Sequence, residues 1–216
     1  RTIYHCASIR AFKSSKYIEN NYEDDKYNLL DKYNEKGYRD AMIVADSVVA
    51  ISPDRVKIYL DVEEGNKYYF NTISWVGNTI YDSEYLSRVL NIKKGDVYNK
   101  KYFEERLRTD ENTAVDKLYV NNGYLFFRAI PVETVSGADS INVEIRIIEG
   151  PQATINRVVI QGNNRTHEHV ARRELYVYPG ELFSREDIVR SIRELANLGH
   201  FDPEHIVPEP KPDAEN

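Results

Sequence analysis

His167 and His169 flank Glu168 and are the side chains best placed to suggest a metal site. A histidine-X-histidine spacing puts the two imidazoles on different faces of a helix. Helical zinc sites instead set the histidines four apart around a general base. No such run occurs here and no third ligand is spaced nearby. His200 takes the place of the tyrosine that follows the repeat glycine, and it and His205 are likewise read as structural, so no metal is assigned. The run Glu23-Asp24-Asp25 offers paired carboxylates, the raw material of acid–base chemistry, but reads as the solvated side of a helix. Neither a Ser nucleophile elbow, a dinucleotide fingerprint nor a Walker loop is present. The single cysteine, Cys6, excludes an internal disulfide and a cysteine zinc site, and reads as a small core hydrophobe. Trp75 ends an apolar run and reads as core packing. No catalytic residue and no cofactor follow, so the expectation is a protein that is not an enzyme.

Composition agrees. The 216 residues are 41% hydrophobic and 30% charged, as in a folded domain, and no apolar run approaches the ~18 residues of a spanning helix. The net charge of −6 lacks the basic excess of a nucleic-acid surface, so no nucleic-acid partner is expected. Tyrosine accounts for 17 residues, against 7 phenylalanines and 1 tryptophan. Its broad ring and polar tip favour recognition over chemistry.

The glycines disclose an internal repeat. Gly77-Asn78 recurs at Gly162-Asn163, Gly95 at Gly180 and Glu64-Gly65 at Glu149-Gly150, each 85 residues on. Gly37-Tyr38 recurs at Gly123-Tyr124 after 86 residues, and again at Gly199-His200 after 76. Nine of the ten glycines sit on repeat positions, and only Gly137 does not. A shared glycine skeleton means shared turns. The chain is therefore read as a partial unit at 1–65 lacking its first strand, a complete unit at 66–150, and a unit at 151–216 lacking its last strand. Such a chain looks like part of a longer array.

Within the complete unit, residues 68–76 are aromatic and β-branched and predict a strand. Gly77-Asn78 turns the chain, Thr79 with Asp82 fits a capping box, and Tyr85, Leu86, Val89 and Leu90 follow at helical spacing as far as Lys93-Lys94-Gly95. A second helical region covers about 100–122 and carries Phe103, Leu107, Val115, Leu118 and Tyr119, with the polar stretch 109–113 as the place for an interruption. Gly123 should end it in the left-handed conformation, bringing Tyr124 onto Tyr119, as Gly37 should bring Tyr38 onto Tyr33. Strands follow at 124–133 and 141–149. In the latter, Ile141, Val143, Ile145 and Ile147 alternate with polar residues, as Val56, Ile58, Leu60 and Val62 do one unit earlier. The fold class is α+β, with tandem β-α-α-β-β repeats in an elongated array.

A tandem unit of this order resembles the polypeptide-transport-associated (POTRA) domain. The carriers are Val76-Gly77-Asn78 and Gln161-Gly162-Asn163, the Gly95 and Gly180 links, the Tyr119…Gly123-Tyr124 ending and residues 143–150. Among POTRA arrays the sequence is similar to the periplasmic arms of outer-membrane β-barrel assembly factors. Residues 31–46 and 193–204 look like the version of Bacteroidetes-type bacteria. The resemblance implies a periplasmic scaffold on the inner side of the Gram-negative outer membrane. Its partners would be unfolded outer-membrane proteins and accessory assembly lipoproteins, with membrane contact only through a C-terminal barrel outside this sequence. The alternative is the POTRA arm of a two-partner secretion or translocation-and-assembly exporter.

In a β-α-α-β-β unit the last strand is central and the middle strand keeps a free edge, open to pairing with another chain. In the complete unit that edge is expected along Tyr124, Leu125, Phe126, Phe127, Arg128, Ala129 and Ile130, with Pro131 blocking pairing on its own side. In the first unit it is expected at 38–44. The structural turns would be Gly37, Gly77, Asn78, Gly95, Gly123, Gly162, Asn163, Gly180 and Gly199.

Overall fold

The computed structural model describes residues 17–53, 55–109 and 114–211. The readings made above for Cys6 and for the first eleven residues fall outside them. The elements in chain order are α1 (Tyr22–Glu35), β1 (Met42–Ser52), β2 (Arg55–Glu63), β3 (Tyr69–Val76), α2 (Ser83–Leu90), α3 (Lys100–Glu104), α4 (Val115–Val120), β4 (Arg128–Ser136), β5 (Ser140–Ile148), α5 (Glu168–Arg172) and α6 (Arg185–Asn197). The chain divides into two compact units. One runs to Ile73 and adds Ile92–Phe103 and Glu133–Val143; the other holds Ser74–Asn91, Glu104–Val132 and Glu144–Asn216.

β1 and β2 form an antiparallel hairpin, while β3, β5 and β4 lie side by side in that order. The last strand of the middle repeat is thus central and its middle strand lies at an edge. Tyr69 N–H meets the Asp139 carbonyl, Asn71 bonds Asn142 at 2.8 Å, and the far ends meet where Gly77 abuts Ile147. These contacts run β3 parallel to β5, which requires the helical crossover that α2, α3 and α4 supply. The alternation of β5 is realised in full: Ile141, Val143, Ile145 and Ile147 are buried and the residues between them are not. In the first unit Phe70, Tyr98 and Phe103 pack ring on ring; in the second, Leu86, Leu90, Leu107, Val115 and Tyr119 are fully buried.

Several boundaries differ from those the sequence predicts. α2 is capped by Asp82 alone, whose carboxylate accepts the Tyr85 N–H at 2.6 Å, while Thr79 turns to Glu149. It ends at Leu90 with Asn91 in the left-handed region (φ 54°), four residues before Gly95. Gly95 instead begins a short pairing on β3: its N–H donates to Phe70 at 2.7 Å and Tyr98 N–H donates to Tyr68. The helical region expected over 100–122 is α3, a π-helical turn at Glu105–Thr109 and, beyond the polar stretch, α4. Leu118 and Tyr85 lie toward the surface, because these shorter pieces each turn a narrower stripe inward. The half-buried alternation expected of β2 is not found: Val56, Ile58 and Leu60 are exposed, and so are the residues between them. The Schellman endings hold: Tyr38 N–H bonds the Tyr33 carbonyl and Tyr124 N–H the Tyr119 carbonyl, each at 3.0 Å. Gly137, off the repeat, also has positive φ, because it turns β4 into β5.

Candidate functional site

The residues proposed for the free edge separate into two groups. Tyr124, Leu125, Phe126 and Phe127 form a turn rather than a strand: Leu125 N–H bonds the Gly123 carbonyl and Phe127 N–H bonds that of Tyr124. Phe127 stacks on Tyr119 with ring centroids 4.1 Å apart, so aromatic packing holds these residues to α4. Arg128, Ala129 and Ile130 open β4, which continues to Ser136. The first repeat shows the same four-residue displacement, with β1 starting at Met42.

Two features bear on the β4 edge. Pro131 has no N–H, and a proline survives in a paired strand only where that N–H would point away from the ladder. By alternation Ala129, Glu133 and Val135 then present their backbone groups outward as well. Consistently, the Ala129 carbonyl accepts from the Arg108 guanidinium across 21 residues of chain. Among the described residues, no such cover is given to the outward groups of Glu133 and Val135 or to the Pro131 carbonyl. Arg108 carries no sequence signal for this role; Pro131 does.

Glycines mark the repeat boundaries, and the backbone geometry is duplicated there. The Gly37 carbonyl accepts the Tyr68 N–H at 2.9 Å, and the Gly123 carbonyl accepts the Ala153 N–H at 2.7 Å. A Cβ on Gly37 would lie 3.2 Å from the Tyr68 carbonyl, and one on Gly123 would lie 3.1 Å from that of Ala153. The side chains differ. At the first boundary Tyr68 Oη donates to Asp40 at 2.6 Å, the buried Tyr98 donates to Glu133 at 2.6 Å, and Arg39 pairs with Glu133 at 3.4 Å. At the second boundary the corresponding residues are Phe126, Ala153, Phe183 and Leu125, none of which can make those bonds. There the polar contacts include the reciprocal Asn121–Glu186 bonds, the Arg185–Asp116 pair and a bond from the Gln152 amide to the Asn122 carbonyl at 2.9 Å.

Glu149, noted in the sequence only as a repeat marker, latches the loop after β3. Its carboxylate accepts the N–H groups of Thr79 (2.8 Å) and Ile80 (3.0 Å) and the Thr79 hydroxyl. Burial works against its ionisation, but these bonds outweigh it and hold the carboxyl below its usual range. The Tyr119 hydroxyl is buried nearby without completing a hydrogen bond; burial, with the Glu149 charge, drives its phenol pKa well up. Among the asparagines, Asn78 and Asn163 each bond a carbonyl three residues on. His167 precedes α5, so its ring stacks on His169 at 5.7 Å rather than facing away. No cluster of three metal-binding side chains occurs among the described residues.

The family model for POTRA, surface antigen variable number repeat, matches residues 68–150 and 153–216. The chain belongs to the POTRA family. This POTRA chain is 28% identical over 95% of its length to a Treponema pallidum (strain Nichols) protein provisionally named an outer membrane protein assembly factor. It is 26% identical over 88% of its length to the outer membrane protein assembly factor BamA of Neisseria meningitidis serogroup B. It spans about a quarter of each, 24% in both cases. The crystal structure of Haemophilus influenzae BamA POTRA3-5 superposes with a TM-score of 0.66 at 19% identity, over 88% of this chain and 74% of that one, and shares its fold. The tandem α+β POTRA architecture is thus that of BamA POTRA domains.

Proposed function

We propose that this chain is part of the periplasmic arm of an outer-membrane protein assembly factor. In this reading it is a non-catalytic scaffold that binds unfolded outer-membrane proteins, together with accessory subunits, in part by strand addition. Residues 66–150 serve as one complete POTRA unit between two partial ones. The carrying observation is that the middle strand of each described repeat, β1 in the hairpin and β4 in the order β3-β5-β4, pairs on one side only among the described residues. Pairing through backbone groups reads no particular side chain, which suits a scaffold for clients of many sequences. The names of the relatives support the assembly reading over an exporter.

The test uses a synthetic peptide of one outer-membrane β-strand with alternating apolar residues, and the same peptide N-methylated at consecutive residues, so that both of its edges lose their donors. Strand addition predicts binding by the first and at least tenfold weaker binding by the second. Equal binding of the two peptides would refute the reading.

A further inference from the structure

The two repeats whose middle strand is described carry homologous edges, and these edges are not equivalent. β4 is obstructed: the Arg108 guanidinium occupies the Ala129 carbonyl, and Pro131 removes an outward N–H. Eighty-six residues earlier those positions are Tyr22 and Ala45, a phenol and an ordinary N–H donor. β1 runs eleven residues against nine for β4, and contains no proline. It pairs only with β2 among the described residues. Register shifts at Ile43/Ala45 and Ala50/Ser52 bound a regular stretch from Ala45 to Ala50. The ladder continues past both shifts, but the extra residues Val44 and Ile51 break the alternation there, so the six residues between them are the regular template. Val48 and Val49 within it, and Met42, Val44 and Ile51 beside it, are exposed. A groove between α1 and the first half of β1 has Tyr27, Leu30, Met42 and Ile43 on its apolar side, and Glu23 with the Lys26–Asp46 pair (3.5 Å) on its polar side.

We infer that β1, not β4, is the strand-accepting edge of this chain, and that Arg108 and Pro131 are guards which close its homologue. The occupant is an extended segment with alternating apolar side chains, its backbone paired along 45–50 and an apolar side chain seated against Tyr27 and Leu30. The inference rests on the strand-addition reading above, and names its site. Unprotected edges invite pairing, and proline or a covering side chain is how proteins suppress it.

A photo-crosslinking residue is placed at Val49 of β1 or at Val135 of β4, and each protein is irradiated with the outer-membrane strand peptide or its N-methylated form. Crosslinking at 49, lost on N-methylation and at least fivefold above that at 135, is the expected result. Crosslinking at 135 in preference to 49, still sensitive to N-methylation, would overturn this inference while leaving strand addition standing. Crosslinking insensitive to N-methylation would overturn both. Removing the guards supplies an independent arm: P131A, and P131A with R108Q, each checked for an unchanged melting profile, should raise crosslinking at 135 stepwise. If P131A melts as the parent does and gains nothing at 135, the guard assignment is wrong.

Discussion

At the residue scale, the glycines differ in what a side chain would meet. Gly77 and Gly137 have similar positive φ, 88° and 75°, so an alanine at either is strained by about 1–2 kcal/mol. A Cβ on Gly77 would also lie 2.4 Å from the Ile147 carbonyl, whereas one on Gly137 would meet nothing within 4 Å. Gly77→Ala should therefore cost about 1–3 kcal/mol more than Gly137→Ala in urea unfolding. Equal midpoints would show that the β3 end yields freely. Glu149 gives a pH-dependent counterpart. Its folded pKa lies below the unfolded one, so its stabilisation is complete above about pH 4.5 and is lost as pH falls through the folded value. Melting temperatures of the parent and Glu149→Gln should differ most near neutral pH and converge on acidification. A constant difference down to pH 3 would remove the carboxylate from the account.

At the element scale, the two boundaries share a backbone and differ in side chains. Tyr98 is buried and donates to a carboxylate, so Tyr98→Phe should cost about 1.5–3 kcal/mol in denaturant unfolding. The second boundary already carries phenylalanine at that position, Phe183, so the ring itself fits. A change below about 0.3 kcal/mol would show that packing alone holds the first boundary together. The displaced start of β4 belongs to this scale too. Residues 124–127 have the composition of a strand, but the Gly123 ending directs Tyr124 onto Tyr119, and Phe127 stacks on the same ring. Local aromatic packing overrides strand propensity there.

At the scale of the whole molecule, the boundary bonds at Gly37 and Gly123 each join a repeat to the next in sequence, the arrangement under which repeat arrays behave as a sum of local terms. Gly37 and Gly123 belong to different compact units. Their changes to valine, each placing a β-branched residue at positive φ near a backbone carbonyl, should therefore add in the double variant to within about 0.5 kcal/mol. A larger discrepancy in calorimetric or denaturant data would show that the two sites are coupled.

Much of this was written locally. The 85-residue glycine register, the inward alternation of β5 and the helix endings at Gly37 and Gly123 all follow from residue type and spacing, because positive φ, period-two burial and Schellman bonds are set within a few residues. The β-α-α-β-β order was legible for the same reason. The tertiary structure decided the rest. Arg108 reaches the Ala129 carbonyl across 21 residues, and Glu149 reaches Thr79 across 70. No periodicity encodes such contacts, since they depend on where the folded chain returns. Pro131 was visible in the sequence, but the side to which its missing N–H pointed depended on which neighbour β4 paired with. Only the assembled sheet settles that, because an edge is a property of strand order and not of any strand alone.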